Sequence, residues 1–272
     1  MVNKCTLSLI LMCLVLSNYS FSADRQIAIT IDDLPFVGFA NNNEALLKRE
    51  EVLFTEILKP LIANNVPVTG FVIAGAIEKG QWQWLEQFQQ AGFVLGNHTF
   101  SHANLNGMSA QKYKVDVDKA DKILAPLMSS PKYFRYPFLA EGKGVKRQEI
   151  QDYLEANNYI VAPVTVDSKD FIFNAKLYTV PSRLRAQKIK KLKPQYLAYI
   201  WNETLKTQNS KRTKQILLIH ANLLNSYCMN DIIEMYKKNG YRFISLSEAL
   251  NQRPAPSLPT EKFKEELFDL EN

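Results

Sequence analysis

Two histidines four residues apart, His98 and His102, stand in the run Gly96-Asn97-His98-Thr99-Phe100-Ser101-His102. The chain has three histidines in all, the third being His220. If a helix begins after Gly96, the two rings fall on one face as i and i+4 neighbours. Two imidazoles so placed can share one divalent metal. Taken alone, the pair reads more readily as two ordinary polar residues near a helix start. The surroundings of the other ionisable residues decide between these readings.

Short apolar runs recur at residues 27–31, 66–73, 93–96, 133–138, 160–166, 215–219 and 242–246. Helical patterns lie between them at 44–64, 77–91, 110–127, 146–157, 182–207 and 229–239, closed by Asn64-Asn65, Gly92, Asn157-Asn158 and Asn239-Gly240. Strands alternating with helices predict parallel βαβ units in one large α/β domain, a barrel or a wound sheet. Such folds carry their chemistry just beyond the C-terminal ends of the strands. Asp32 and Asp33 follow the first run, and His98 and His102 follow the third. Arg135 and Pro137 lie in the fourth, Asp167 and Asp170 follow the fifth, and His220 follows the sixth. Singly, Asp32-Asp33 reads as a turn, His220 as a strand-end polar residue and Arg135 as a surface ion-pair partner. Together they fall on one rim, and the bland readings lose their weight.

The ordered set Thr30-Ile31-Asp32-Asp33, His98-Thr99-Phe100-Ser101-His102, Arg135-Tyr136-Pro137, Asp167-Ser168-Lys169-Asp170-Phe171 and Leu218-Ile219-His220 resembles the motifs of the polysaccharide deacetylase family, the NodB-homology domain of carbohydrate esterase family 4. The likeness covers residues 27–220. It implies a single-domain, distorted (β/α)7 barrel and metal-dependent hydrolysis of an acetamide or acetate ester on a sugar. Four positions depart from the family pattern. Ile31 stands where Phe is usual, Leu139 where Gly is, Phe171 where Trp is common, and Ala221 where Asp is frequent. None removes a metal ligand or a proton-transfer group, so the departures bear on the substrate.

The resemblance implies that Asp33, His98 and His102 hold one divalent ion, Zn2+ first, with Co2+, Ni2+, Fe2+ or Mn2+ as alternatives. Asp32 then acts as general base and Arg135 pairs with it. His220 is the general acid, and the Tyr136 backbone N–H helps the metal stabilise the oxyanion. Asp167 and Asp170 either support a catalytic group or are turn residues. Two rivals remain: an amidase acting on a small non-sugar amide, and a secreted glycan-binding protein without turnover. Loss of a ligand or base would mark the second, and Asp32, Asp33, His98, His102 and His220 are all present.

Residues 1–22 have the layout of a secretory signal peptide, with Lys4, an apolar run over 5–16 and small residues before a cut after Ser22. That run is too short to span a bilayer, which takes about 20 residues. The expectation is an exported domain over residues 23–252 and a C-terminal tail over 253–272. The protein is then periplasmic or extracellular, a monomer with no stable membrane anchor. Cys5 and Cys13 would leave with the signal, and Cys228 alone forms no intrachain disulfide. The net charge of +6 drops by one without Lys4. Basic residues cluster at 183–193 and at Lys211, Arg212 and Lys214, as a solvated helix face or as an attraction to an anionic surface polymer. Nucleic acid is disfavoured by the export signal and by the lack of a recognised motif.

The partner expected is an acetylated glycan. Aromatic loops, residues 35–39 and 171–178, are expected to border its groove, where sugar rings stack on aromatic faces. Trp82 and Trp84 occupy alternate helical positions, so at most one faces the core. Residues 261–270 are expected to form a short docking helix.

Overall fold

The computed structural model describes residues 25–208 and 214–251. The expected signal peptide, the tail with its short helix, and Lys211 and Arg212 lie outside the described residues. In chain order the elements are β1 (Arg25–Val37), α1 (Glu44–Ala63), β2 (Val68–Val72), α2 (Gln81–Gln90), β3 (Val94–Asn97), α3 (Ala110–Leu124), β4 (Lys132–Phe134) and α4 (Gly144–Ala156). There follow β5 (Tyr159–Val161), β6 (Val166–Asp167), α5 (Asp170–Tyr178), α6 (Ser182–Gln208), β7 (Lys214–Asn222), α7 (Leu223–Lys238), β8 (Tyr241–Phe243) and α8 (Leu246–Ala249).

The strands form one eight-stranded sheet in the order β5-β4-β3-β2-β1-β7-β6, with β8 also paired to β1. Each pairing is parallel. The result is a half-barrel of parallel strands with helices outside, the (β/α)7 type distorted by an open seam between β5 and β6. The apolar run at 160–166 was expected to be one strand, and it divides at that seam into β5 and β6. Arg135 fills the division: its Nε donates to the Ala162 carbonyl at 2.8 Å.

Central β1 is buried from both faces, with Ile27, Ala28, Ile29 and Ile31 at 1 % exposure or less. Helices cover the outer face of the sheet, and side chains such as Phe71, Tyr133 and Ile216 fill the inner one around Ala28; strands buried on both faces read as unbroken apolar runs. The main core joins that strand to Phe54 and Leu58 of α1, Leu85 and Phe88 of α2, and Ile232 and Ile233 of α7. Of the two tryptophans, Trp84 is in the core and stacks on Phe54 at 5.8 Å. Trp82 is half-buried and donates to Glu86 Oε1 at 2.9 Å. A second cluster, around Tyr113, Phe134 and Tyr136, packs α3 and α4 against β4. Helix starts are capped where the sequence offers the residue: Asn43, Ser109, Asn222 and Ser245 each accept a first-turn N–H.

Candidate active site

A cavity of about 370 Å³ opens at the C-terminal ends of the strands. It is lined by Asp32, Asp33, His98, His102, Asp167 and His220, together with Lys169, Phe138, Leu139, Phe171 and Leu218. A larger cavity of about 680 Å³ lies at the opposite end, against Asp121, Lys132 and Tyr159, and contains none of the histidines.

The two aspartates enter the cavity because β1 is irregular. Consecutive strand residues normally point to opposite faces. Here the register with β2 shifts between Ile31 and Leu34, and Asp33 has φ +60. Such a bulge re-aims one side chain, so neighbouring carboxylates face the same space. Asp32 is 2 % exposed. Arg135 holds it, with Nη1 3.3 Å from both Oδ1 and Oδ2. Arg135 also donates from Nη2 to Thr30 Oγ1 at 3.2 Å and lies over the Phe71 ring.

The histidine pair does not sit on a helix. After β3 the chain runs as a loop, with Thr99 at φ +67 and His102 at φ +56. Side chains hold this loop in place of helical hydrogen bonds. Asn97 Oδ1 accepts from Thr99 N at 2.7 Å, Asp116 Oδ2 accepts from Phe100 N and Ser101 N at 3.1 Å, and Thr99 Oγ1 accepts from Ala103 N. Asn97 and Asp116 were not singled out in the sequence. An Asn directly before the first ligand was the available signal.

His98 Nε2 lies 3.4 Å from Asp33 Oδ1, and His102 Nε2 lies 3.3 Å from the same atom. The three ligating atoms are all within 4.8 Å of one another. His98 Nδ1 is 2.8 Å from the Arg135 carbonyl. A carbonyl only accepts, so Nδ1 carries the proton and Nε2 presents its lone pair. Asp33 Oδ1 is buried with no hydrogen-bond partner. Acceptors that face each other with no donor between them fit a cation. Burial raises the Asp33 carboxyl, but the imidazoles of His98, His220 and His102 outweigh it and hold the group at about 2. Burial holds His102 below the ordinary imidazole range, which favours its neutral, ligating form.

His220 stands across the cavity, its Nε2 3.9 Å from Asp33 Oδ2. Burial lowers its basicity, yet the adjacent Asp170, with Asp33 and Asp32, overrides this and lifts it to about 10. The two weaker aspartates separate. Asp170 is fully buried and accepts from His220 Nδ1 at 2.6 Å. Asp167 accepts from Lys169 N at 3.0 Å and pairs with Lys169 Nζ at 2.6 Å, as a turn residue does. Tyr136 is 2 % exposed, and its ring lies in the second cluster beside Tyr113 and Phe134. Only its backbone is available to the site.

The rim aromatics differ from the two expected loops. Residues 35–37 belong to β1, and residues 171–178 belong to α5. Phe36 and Phe173 pack on the core. Phe39, Phe138 and Phe171 remain exposed at 65%, 64% and 52%. The Phe138 ring lies 4.4 Å from that of His102, and Phe171 meets His220 edge-on at 6.3 Å.

Residues 22–156 match the family model for polysaccharide deacetylase. The chain belongs to the polysaccharide deacetylase family. It is 27% identical over 157 residues to a peptidoglycan-N-acetylglucosamine deacetylase of Bacillus cereus, covering 56% of this chain and 50% of that protein. It thus spans about half the length of that relative. A solved peptidoglycan N-acetylglucosamine deacetylase, in complex with an aromatic N-oxidanyl-benzamide, superposes with a TM-score of 0.59 at 22% identity, over 86% of this chain and 91% of that one. A pseudoenzyme of the same esterase family from Bacillus anthracis superposes with a TM-score of 0.57 at 16% identity, over 85% and 67%. At these identities the superpositions establish the shared barrel.

Proposed function

We propose that this polysaccharide deacetylase family member is an exported, metal-dependent hydrolase that removes acetyl groups from N-acetylated or O-acetylated sugars of a glycan. The observation that carries this reading is the set of unshared acceptors on Asp33, His98 and His102, flanked by Asp32 on one side and His220 on the other. The deacetylase activity of the Bacillus cereus relative points the same way.

Asp33, His98 and His102 would hold one divalent ion, with zinc the first choice for an Asp/His/His set and cobalt, nickel, iron or manganese as alternatives. Such an ion lowers the pKa of water and polarises a carbonyl. Asp32, held in place by Arg135, takes a proton from the attacking water as the new carbon–oxygen bond forms. The Tyr136 N–H donates to the carbonyl oxygen as negative charge develops there. His220 gives its Nε2 proton to the leaving nitrogen as the carbon–nitrogen bond breaks, so acetate and the free amine depart. Asp170 holds the His220 ring in the orientation this transfer needs. The departures at Leu139 and Phe171 line the cavity and bear on which sugar enters.

The test combines metal analysis with acetate release from a panel of acetylated glycans and small amides. About one divalent ion per chain, lost in His102→Ala, and acetate released from glycans are expected. Metal in neither protein would exclude the site. Turnover only of small amides would favour the amidase reading, and metal without any turnover would favour a binding protein. We further infer that residues 1–22 direct export. N-terminal sequencing of the processed protein, expected to begin at Ala23, tests this. No described helix is long and apolar enough to cross a membrane.

A further inference from the structure

The stretch between Asp170 and Glu203 contains seven basic residues and no acidic one. The catalytic reading leaves them unused. Most of them lie on α6, which runs opposite to the barrel strands. Thr204 Oγ1 meets Tyr236 Oη at 2.7 Å near the end of α7, far from the rim. Tyr196 Oη donates to Asn225 Oδ1 at 2.9 Å in the first turn of α7, at the rim. The first turns of α6 therefore lie on the rim side of the barrel, the side on which the cavity opens.

Those turns pack on α5, whose Phe171 lines the cavity. The Arg185 guanidinium lies 4.7 Å over the Tyr178 ring, and Tyr178 meets Phe39 edge-on at 5.1 Å. Ile189 and Leu192 face inward at 4 % exposure. Arg183, Lys190 and Lys191 are exposed on the outer side. The nearby acids are engaged elsewhere: Glu50 accepts from Phe39 N at 2.8 Å, and Asp231 pairs with Lys193 at 2.7 Å. Among the described residues no ion pair neutralises the three outer cations.

We propose that the N-terminal half of α6 binds the anionic groups of an acidic polysaccharide whose acetylated sugar enters the cavity. This rests on the deacetylase reading. A single small anion calls for donors that converge on one point. Here Arg183 and Lys190 are two turns apart, roughly 10 Å along the axis. That arrangement fits charges repeated along a chain. Its position on the rim side, across α5 from the cavity, lets one extended polymer reach both the helix and the reacting centre, and a field of one sign there draws such a polymer in.

The test compares the full chain with Arg183→Glu/Lys190→Glu/Lys191→Glu. Binding is measured to polygalacturonate, to uncharged dextran and to a DNA duplex, and melting curves check that the variant folds like the parent. The parent is expected to bind polygalacturonate, more weakly as salt screens the charges, and to ignore dextran. The folded triple variant is expected to bind about tenfold or more less tightly. Absence of polygalacturonate binding, equal binding by the variant, or equal affinity for the DNA duplex would overturn the proposal. The binding measurement needs neither metal nor turnover. A parent that binds through α6 yet frees no acetate from any acetylated glycan would support this helix as a binding surface and sink the deacetylase reading separately.

Discussion

Asp170 and His220, fifty residues apart, are joined twice: Asp170 Oδ1 accepts from His220 Nδ1 at 2.6 Å and Oδ2 from His220 N at 2.7 Å. Asn222 and Asn225 also donate to Oδ2, at 2.9 and 2.6 Å. The carboxylate thus meets donors only, and the imidazole is fixed with Nε2 towards the cavity. Asp170→Asn would set an amide N–H against some of these donors, at a cost of about 1–3 kcal/mol for a buried unsatisfied group. The variant is expected to keep its metal and lose about 10²-fold or more in kcat, within the range of general acid–base catalysis. Full turnover by a folded Asp170→Asn protein would show that His220 needs no such support.

Asp32→Asn removes the proton acceptor while keeping the shape of the side chain. Metal content should match the parent, and kcat should fall by about 10²–10⁴-fold. An active variant would refute the base assignment, and a metal-free one would make Asp32 a ligand.

Arg135 is 1 % exposed and is the partner of Asp32. Arg135→Met would strand a buried carboxylate, at a cost of about 3–5 kcal/mol. Urea unfolding should register that loss and a partial recovery in Arg135→Met/Asp32→Asn, where the stranded charge is gone. No recovery in the double variant would mean that packing against Phe71, rather than charge, sets the loss.

Gly75 supports the histidine loop from beneath. Its N–H donates to the Phe100 carbonyl at 2.8 Å, and a Cβ added there would lie 2.5 Å from that oxygen. Gly75→Ala must therefore displace backbone between the two histidines. Metal affinity is expected to fall about 10–100-fold, as when an outer partner of a ligand is lost. Unchanged affinity in a metal titration would show that the loop adapts freely.

Cys228 is fully buried, and burial pushes its thiol up to about 12. The thiolate is the reactive form, so a thiol reagent at pH 8 should label the native chain very slowly and the urea-unfolded chain at once. Fast native labelling would reveal local opening of α7.

The sequence by itself determined the inventory and order of the chemistry. Asp32, Asp33, His98, His102, Arg135 and His220 each follow or lie within an apolar run, and the runs are legible because a covered parallel sheet needs unbroken apolar strands. Alternation with helices then puts the strand ends on one rim, so the family and the cluster could both be read. What the sequence left open was side-chain direction. His98 and His102 suited a helical face, yet they converge from a loop held by Asn97 and by Asp116, which lies across the gap to α3. Nothing in the local spacing of the two histidines specifies those bonds. Asp167 and Asp170 looked interchangeable three residues apart. Tertiary packing separates them by placing β7 so that only Asp170 meets His220. Leu139 stands at φ +54 where the family pattern has Gly, and its side chain borders the cavity. Contacts between distant segments made these decisions, because a hydrogen bond or a bulge between strands depends on partners that local sequence does not identify.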